Sequence, residues 1–545
     1  MIKPNGRWSG IAASATFACL VASPAAAQTQ ARAGQVKFSP YLEAAQVLSA
    51  DVRNGDVLTY TQLSAGIDAT TSSRRITASI SARVDRNFAY DDDVADTTVV
   101  TGLAKVSALV APGISIDGGA VATRARSDIR GAAPNTGVGG NLSNVSQVIS
   151  ADIGPSANGN VGPVGISTSY RYGGTQVSTP TAKNVPAGSR PLDNYSSSQR
   201  HVLSASAGIK PGRGLPVGLS ASGAYEREDA NQLDQKYEGY YGRGDVVVPL
   251  TPAFAVTGGA GYENIEISNR DPVVNGAGVP VLDSNGRYIS NTAVPRRIAF
   301  DTKGLFWDAG VLYRPSPRAT FQARAGRRYD SLSVTGSLAY QASSAVGLNI
   351  GVYDGIQSFG RQLRGGVASI PNSFTGTGDP LAQNFNGCVF GQSSAEAGGC
   401  LNSSFQSIST AQYRARGVDG VLVAKRGPTT LGFGAGYSNR KFLVPDSGPN
   451  LTVADGQNDQ SFYGQVFAAQ QLDRNSGVDL NAFANVFDSG VAGADSVYSL
   501  GTSAGYYHRF GNLGATASVG VYGFDSKATE AQVQAQARLG LRYGF

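Results

Sequence analysis

The chain has 545 residues, with 45 Lys+Arg against 39 Asp+Glu, only two histidines and one methionine, and 70 glycines, 24 tyrosines and 21 phenylalanines. A formal net charge of +6 without any dense Lys/Arg run is no nucleic-acid signature. Two histidines leave little for histidine-based catalysis, and a helical domain would need more Leu, Glu and Lys than this Gly- and aromatic-rich composition offers.

Residues 1–27 read as a signal peptide. Lys3 and Arg7 supply a positive start, Ile11 to Val21 an apolar stretch, and Ala25-Ala26-Ala27 a small-residue cleavage site before Gln28. At about 11 residues the stretch is too short for a membrane helix, which needs roughly 20. Thr16-Phe17-Ala18 before Cys19 is a poor lipidation motif. Removing this segment drops two of the 45 basic residues and none of the 39 acids, leaving +4 on a mature chain from Gln28 to Phe545.

The first strand is expected near Val36, about eight residues after the cleavage site, which leaves no room for an N-terminal plug domain of the kind large active transporters carry. From there alternation with period two runs to the end. Ile76, Ala78, Ile80, Ala82 and Val84 oppose Thr77, Ser79, Ser81, Arg83 and Asp85. Val478, Leu480, Ala482, Ala484 and Val486 oppose Asp479, Asn481, Phe483 and Asn485. In the last segment Ala531, Val533, Ala535, Ala537, Leu539, Leu541, Tyr543 and Phe545 form one wall, with Gln532, Gln534, Gln536, Arg538 and Arg542 on the other.

A soluble sandwich alternates too, so the connections have to decide. Short, turn-like linkers occur around 72–74, 111–113, 210–212, 251–252, 314–318, 342–345, 426–428, 473–475 and 510–512. Between them lie longer, variable ones at 131–143, 177–198, 269–301, 361–409 and 444–458. Short turns on one rim and long loops on the other are the asymmetry of outer-membrane barrels. The expected fold is all-β: residues 28–545 as one antiparallel up-and-down transmembrane barrel of about 22 strands, within a range of 18–22. An even count puts both ends on the short-turn, periplasmic rim. Leu541, Tyr543 and Phe545 then resemble the C-terminal signal that bacterial outer-membrane barrels present to their assembly machinery. The expected location is the bacterial outer membrane.

Chemical motifs fare poorly. Gly501-Thr502-Ser503-Ala504-Gly505 matches a nucleophile motif by letter, but that motif needs a strand-to-helix elbow and here lies inside a strand. His508 has the opposite parity to Ser503 and sits about 16 Å along the strand. Gly432, Gly434 and Gly436 look like part of a dinucleotide motif but are alternate residues of a strand whose other face is Leu431, Phe433, Ala435 and Tyr437. No catalytic residue, metal site or cofactor is expected.

Parity places Arg83, Asp85, Arg171, Arg243, Asp245, Arg324, Arg328, Arg414, Arg416, Arg538 and Arg542 toward the lumen, a set rich in Arg and poor in acids. Either mutual pairing and water satisfy these groups, or they make an electropositive channel for an anionic solute or polymer. The stretch 361–409 is loop-like throughout, with a turn at Pro371-Asn372-Ser373 and Gly376 and Gly378 just after it. Cys388 and Cys400, 12 apart with no His or third Cys nearby, point to a disulfide rather than a zinc site. The stretch is then either a stapled surface loop or a lid that folds over or into the pore.

Phe306-Trp307, Tyr313-Arg314-Pro315-Ser316-Pro317-Arg318, Gly326-Arg327-Arg328-Tyr329 and the run Ser343 to Tyr353 resemble the outer-membrane barrel family associated with PEP-CTERM and exopolysaccharide systems of Gram-negative bacteria. Pro40-Tyr41-Leu42-Glu43 and the second strand with Gly66 fit the same opening, whereas the cysteine-bearing loop departs from it. Together with the Arg-rich lumen, the resemblance implies a channel or assembly component for export of an anionic exopolysaccharide. A general or solute-selective porin and a structural or adhesive surface barrel are the alternatives. The expected partners are outer-membrane lipid, the barrel-assembly machinery and an anionic polysaccharide, with no nucleic acid; the oligomeric state is not legible.

Overall fold

The computed structural model describes residues 36–545 apart from 54, 91–96, 127–144, 179–194, 284–286, 375–380, 382–384, 386, 407, 409–410, 444–457, 491–495 and 527–528. The expected signal peptide with its Ala27/Gln28 cleavage site, the expected loop 131–143 and all but the last residue of the expected loop 444–458 therefore lie outside the described residues.

Among those residues, 22 antiparallel strands form one sheet in which each strand pairs with the next in sequence. The last, Thr529–Gly544, pairs back onto the first, Lys37–Asp51, with Leu42 opposite Tyr543 and Val47 opposite Arg538. The sheet has no free edge. This is the up-and-down barrel that the alternation predicts, and closure satisfies backbone groups that a bilayer could not. Short turns such as Pro112-Gly113 and Gly511-Asn512 gather on one rim and the longer connections on the other.

Strand parity separates two environments. Outward positions carry exposed apolar side chains, among them Ile80, Val84, Leu480, Leu500, Leu539 and Leu541. Inward positions on the same strands are buried and polar, including Asp85, Ser503, Gln536 and Arg538. No helix among the described residues is long and apolar enough to cross a membrane; crossing is by strands.

The wall is closed at its seam by charge. Glu43 on the first strand accepts from Arg538 on the last at 2.7 Å and lies 3.4 Å from Arg83 on the third, Ile76–Ala89. Arg83 also binds Asp85 at 2.5 Å, and Arg538 donates to Gln62 on the second strand, Val57–Ser72. Tyr41 lies opposite Gly66 with its ring over the glycine, where any Cβ would collide with it, and Arg542 stacks on that ring at 3.3 Å. The Pro40–Glu43 opening is thus a device of the wall: an aromatic covering a strand glycine beside a buried ion cluster.

The long connection between Val346–Gln357 and Gln412–Arg426 differs from the loop-like expectation. It holds an α-helix, Phe359–Ser369, and a two-stranded hairpin, Cys388–Ser393 with Glu396–Cys400. The helix forms despite Gly360, Gly365 and Gly366 because tertiary packing outweighs propensity. Phe359, Leu363 and Val367, spaced at i, i+4 and i+8, are fully buried, and Ser358 caps the first turn by accepting from the Arg361 N–H at 3.1 Å.

Candidate functional site

The described residues between 358 and 411 lie inside the barrel. The inner helix packs its apolar face on inward residues of the wall, and Phe359, Leu363, Val367, Leu401 and Phe405 share one core with Leu103, Val121 and Val148. The inner hairpin packs elsewhere, where Phe390 stacks on Phe467 at 5.7 Å and joins Val421, Val423 and Tyr463. Glu228 and Gln465, which both bond this segment, stand on nearly opposite sides of the strand ring. The segment therefore spans the lumen.

Its polar contacts fall into three groups. Near the long-loop rim, at the ends of strands Ser197–Ile209 and Gly218–Ala230, lies a buried ion cluster. Arg364 donates to Glu228 at 2.8 Å and to Thr175 at 2.9 Å, and Ser358 donates to Glu228 at 2.6 Å. Arg361 pairs with Glu226 at 2.7 Å and lies over the Tyr237 ring at 3.8 Å. Burial alone would lower the Arg361 pKa, but Glu226 first, with Tyr237 and Glu228, more than offsets it, so the guanidinium stays charged. Burial pushes the Tyr195 phenol up, so it stays neutral and donates to Ser198.

At mid-wall, Lys105 Nζ donates to the carbonyls of Val367 and Ala368 at 3.1 and 3.0 Å. A wall cation thus satisfies the C-terminal carbonyls of the inner helix, where the helix dipole also favours it. Further contacts fix the rest: the Phe385 and Cys388 N–H groups donate to Thr123 and Gln465, and Tyr413 donates to Gln362 at 2.6 Å. The hairpin tip reaches the short-turn rim, where Ser394 donates to the Ser344 carbonyl at 3.2 Å. Polar cavities of about 400 and 390 Å³ lie beside the helix and toward that rim, lined among others by Lys105, Arg171, Arg200, Asn349 and Glu396.

Two wall glycines make the docking possible. A Cβ at Gly434 would overlap Cys388 Sγ, and one at Gly432 would stand 2.6 Å from the Phe390 ring. Cys388 and Cys400 are disulfide-bonded and sit directly on this strip. Gly432 and Gly434 are thus the floor on which the inner hairpin lies, while Gly436 on the same face is covered by the wall's own Tyr463.

The predicted lumenal charges divide. Arg83, Asp85, Arg171, Arg243, Asp245, Arg324, Arg328, Arg538 and Arg542 do project inward with buried neighbours of the same parity. Arg414 and Arg416 do not. They share parity with the exposed Val418 and Leu422, and pack instead against Asp354, Ser331 and the Tyr329 ring. Nor is the set short of acids. Arg243 and Arg324 share Asp245 and Asp308, Arg328 pairs with Glu263 at 2.7 Å, Arg171 with Asp152, and Arg542 with Asp68 at 2.9 Å. The acids that the sequence reading missed stand at inward positions on neighbouring strands, where only the register brings them alongside.

No protein-family model matches the chain, and no curated protein matches its sequence. Solved structures do. The open form of the ferric-catecholate import receptor Fiu from E. coli is 11% identical, with 93% of this chain and 81% of that one covered at a TM-score of 0.44. The FrpB iron transporter from Neisseria meningitidis is also 11% identical, covering 93% and 82% at 0.43. The siderophore receptor PiuA from Acinetobacter baumannii is 8% identical, covering 93% and 82% at 0.42.

The chain is an outer-membrane β-barrel.

The closed 22-strand ring and its apolar exterior carry that statement. The export expectation is corrected. The similar structures are described as import receptors and iron transporters, and the likeness to them is one of fold alone. In this chain itself, a folded segment occupies the lumen and the lumenal arginines named above pair with carboxylates, so the described residues leave no open electropositive channel for an anionic polymer. The motifs at 306–353 are strands and turns of the wall, and the association with PEP-CTERM systems stays a resemblance.

Proposed function

We propose that the protein is a gated outer-membrane uptake barrel, closed by its own inner segment 358–411 and opened when that segment leaves its dock. The observation that carries the reading is where the segment is inserted. It leaves the wall after Gln357 and rejoins it before Gln412, and those two strands pair directly, with Gln357 opposite Tyr413. The wall is complete without the segment, so displacement need not break any ladder hydrogen bond. The ion cluster at Glu226 and Glu228 is buried toward the long-loop rim, the side from which a solute would arrive. Iron and siderophore uptake belong to the similar structures; the solute of this chain is not assigned from them.

The test is conductance of the refolded protein in a planar bilayer, compared with a variant in which residues 359–410 are replaced by a short Gly/Ser linker. Wild type is expected to be nearly silent and the deletion to conduct steadily. Equal, large conductance from both would refute a closing role for the segment.

A further inference from the structure

One seam of the described wall is zipped over only part of its length. Strands Ser331–Gln341 and Val346–Gln357 pair only through residues 336–341 and 347–352. Toward the long-loop rim the continuation that would set Val334 opposite Asp354 and Leu332 opposite Ile356 is not formed. The hairpin on one side is low, because its turn is two residues, Tyr329 and Asp330, both with positive φ, while the neighbouring strand Arg297–Ser316 runs far past it.

Charges stand at outward positions beside this gap. Arg416 has a half-exposed side chain, lies 3.5 Å from Asp354, and donates to Ser331 Oγ at 3.0 Å and to the Leu332 carbonyl at 3.3 Å. Across the low hairpin Arg327, opposite Leu332, is 64% exposed and among the described residues pairs with the open Asp330 at 3.7 Å. Next to it, opposite Arg327 on the adjoining strand, is Trp307, exposed, with Leu305 one pleat further along the same face. Arg416 spends part of its guanidinium on Asp354, Ser331 and Leu332, yet both it and Arg327 keep an exposed face on the outward side of the wall.

We propose that this patch binds a phosphate-bearing lipid of the outer leaflet. The two guanidiniums would take the phosphates as planar forks, Trp307 would sit at the headgroup boundary, and the outward Val334 and Val418, one pleat nearer the membrane centre than Leu332 and Arg416, would lie along the acyl chains. Position argues for a lipid over a soluble anion. The cations project from the outward wall beside exposed leucines, at the rim where a lipid headgroup would lie, and charge is tolerated on a barrel exterior only near the interfaces.

Trp307 is also the reporter, because the chain's other tryptophan is Trp8. The purified barrel in detergent is titrated with bisphosphorylated lipid A and with the same glycolipid stripped of both phosphates, and Trp emission is followed, with W307F giving the background. A saturable shift with the phosphorylated lipid, weakened at least tenfold in R327A/R416A and unchanged in K210A on the opposite rim, supports the site. Retained heat-modifiable migration shows that the variants are folded, and R327K/R416K is expected to lose the fork geometry and bind at intermediate strength. An equal response to the dephosphorylated lipid, or undiminished binding by R327A/R416A, overturns the proposal. Full displacement by millimolar inorganic phosphate would overturn the choice of a lipid and leave a soluble-anion site.

Discussion

Glu228→Ala is the perturbation that most directly tests whether the inner segment is latched. Glu228 accepts from Arg364 at 2.8 Å, from Ser358 at 2.6 Å and from Ser198 at 2.8 Å, and both members of the Arg364 pair are essentially buried. Removing the carboxylate leaves a buried, uncompensated guanidinium, at a cost of about 3–5 kcal/mol. That cost falls on the docked state alone, since Arg364 is hydrated once the segment leaves. It shifts the docked-to-undocked ratio by about two to three and a half decades at about 1.4 kcal/mol per decade. The assay is tryptic cleavage at Arg361 and Arg364 in the folded barrel, read beside bilayer conductance. Cleavage and openings are both expected to rise. E228Q, which keeps an acceptor, should fall between, and E228A/R364A should lie closer to wild type than E228A, because the orphaned charge is gone. The reasoning fails if cleavage and conductance stay at wild-type level while the whole barrel melts earlier, for then Glu228 stabilises only the wall.

Other substitutions separate the wall from what it holds. C388S/C400S opens a 12-residue ring worth about 3 kcal/mol by loop closure, so protease should reach the hairpin while heat-modifiability of the barrel persists. G434L puts a side chain where Cys388 Sγ lies and should raise conductance without altering the barrel's far-ultraviolet circular dichroism. R538A leaves Glu43 buried beside a seam now missing its main cation, and should lower barrel stability by about 3–5 kcal/mol in urea titrations with no change in inner-segment proteolysis.

The barrel was legible because its two environments act on every second residue. Leu539 and Leu541 turn to the outside and Gln536 and Arg538 to the inside, and a one-residue slip would exchange lipid and lumen. The same rule failed at Arg414 and Arg416, because parity was assigned without the neighbouring Val418 and Leu422 as a reference, and those two face outward. The excess of lumenal Arg was an artefact of reading strands singly. Asp308 and Glu263 come into range of Arg243 and Arg328 only through register. The inner helix had one local signal, the spacing of Phe359, Leu363 and Val367, hidden among three glycines. Glu226 and Glu228, alternate residues on one inward face, could have been marked by parity; their partners on the helix could not, being more than 130 residues away.

What holds the segment closed can be decided by comparing its two kinds of contact. The ion pairs exchange protein partners for water on both sides when the segment leaves, and such an exchange is close to neutral for a well-solvated alternative. Phe359, Leu363 and Val367 have no such compensation, and exposing three fully buried apolar side chains costs about 5–9 kcal/mol. The apolar face should therefore supply the holding energy, and the arginines the register in which it docks. Raising salt from 0.1 to 1 M shortens the screening length from about 10 to about 3 Å and, if anything, strengthens apolar burial. Wild-type conductance, corrected for the bulk conductivity of the electrolyte, should stay at baseline across that range, whereas L363A, with its apolar contact cut back, should open at low salt. Opening of the wild type by salt alone would transfer the holding role to Glu226 and Glu228, and with it the identity of whatever solute releases the segment: a charged group would then suffice, where an apolar face demands a ligand that can cover it.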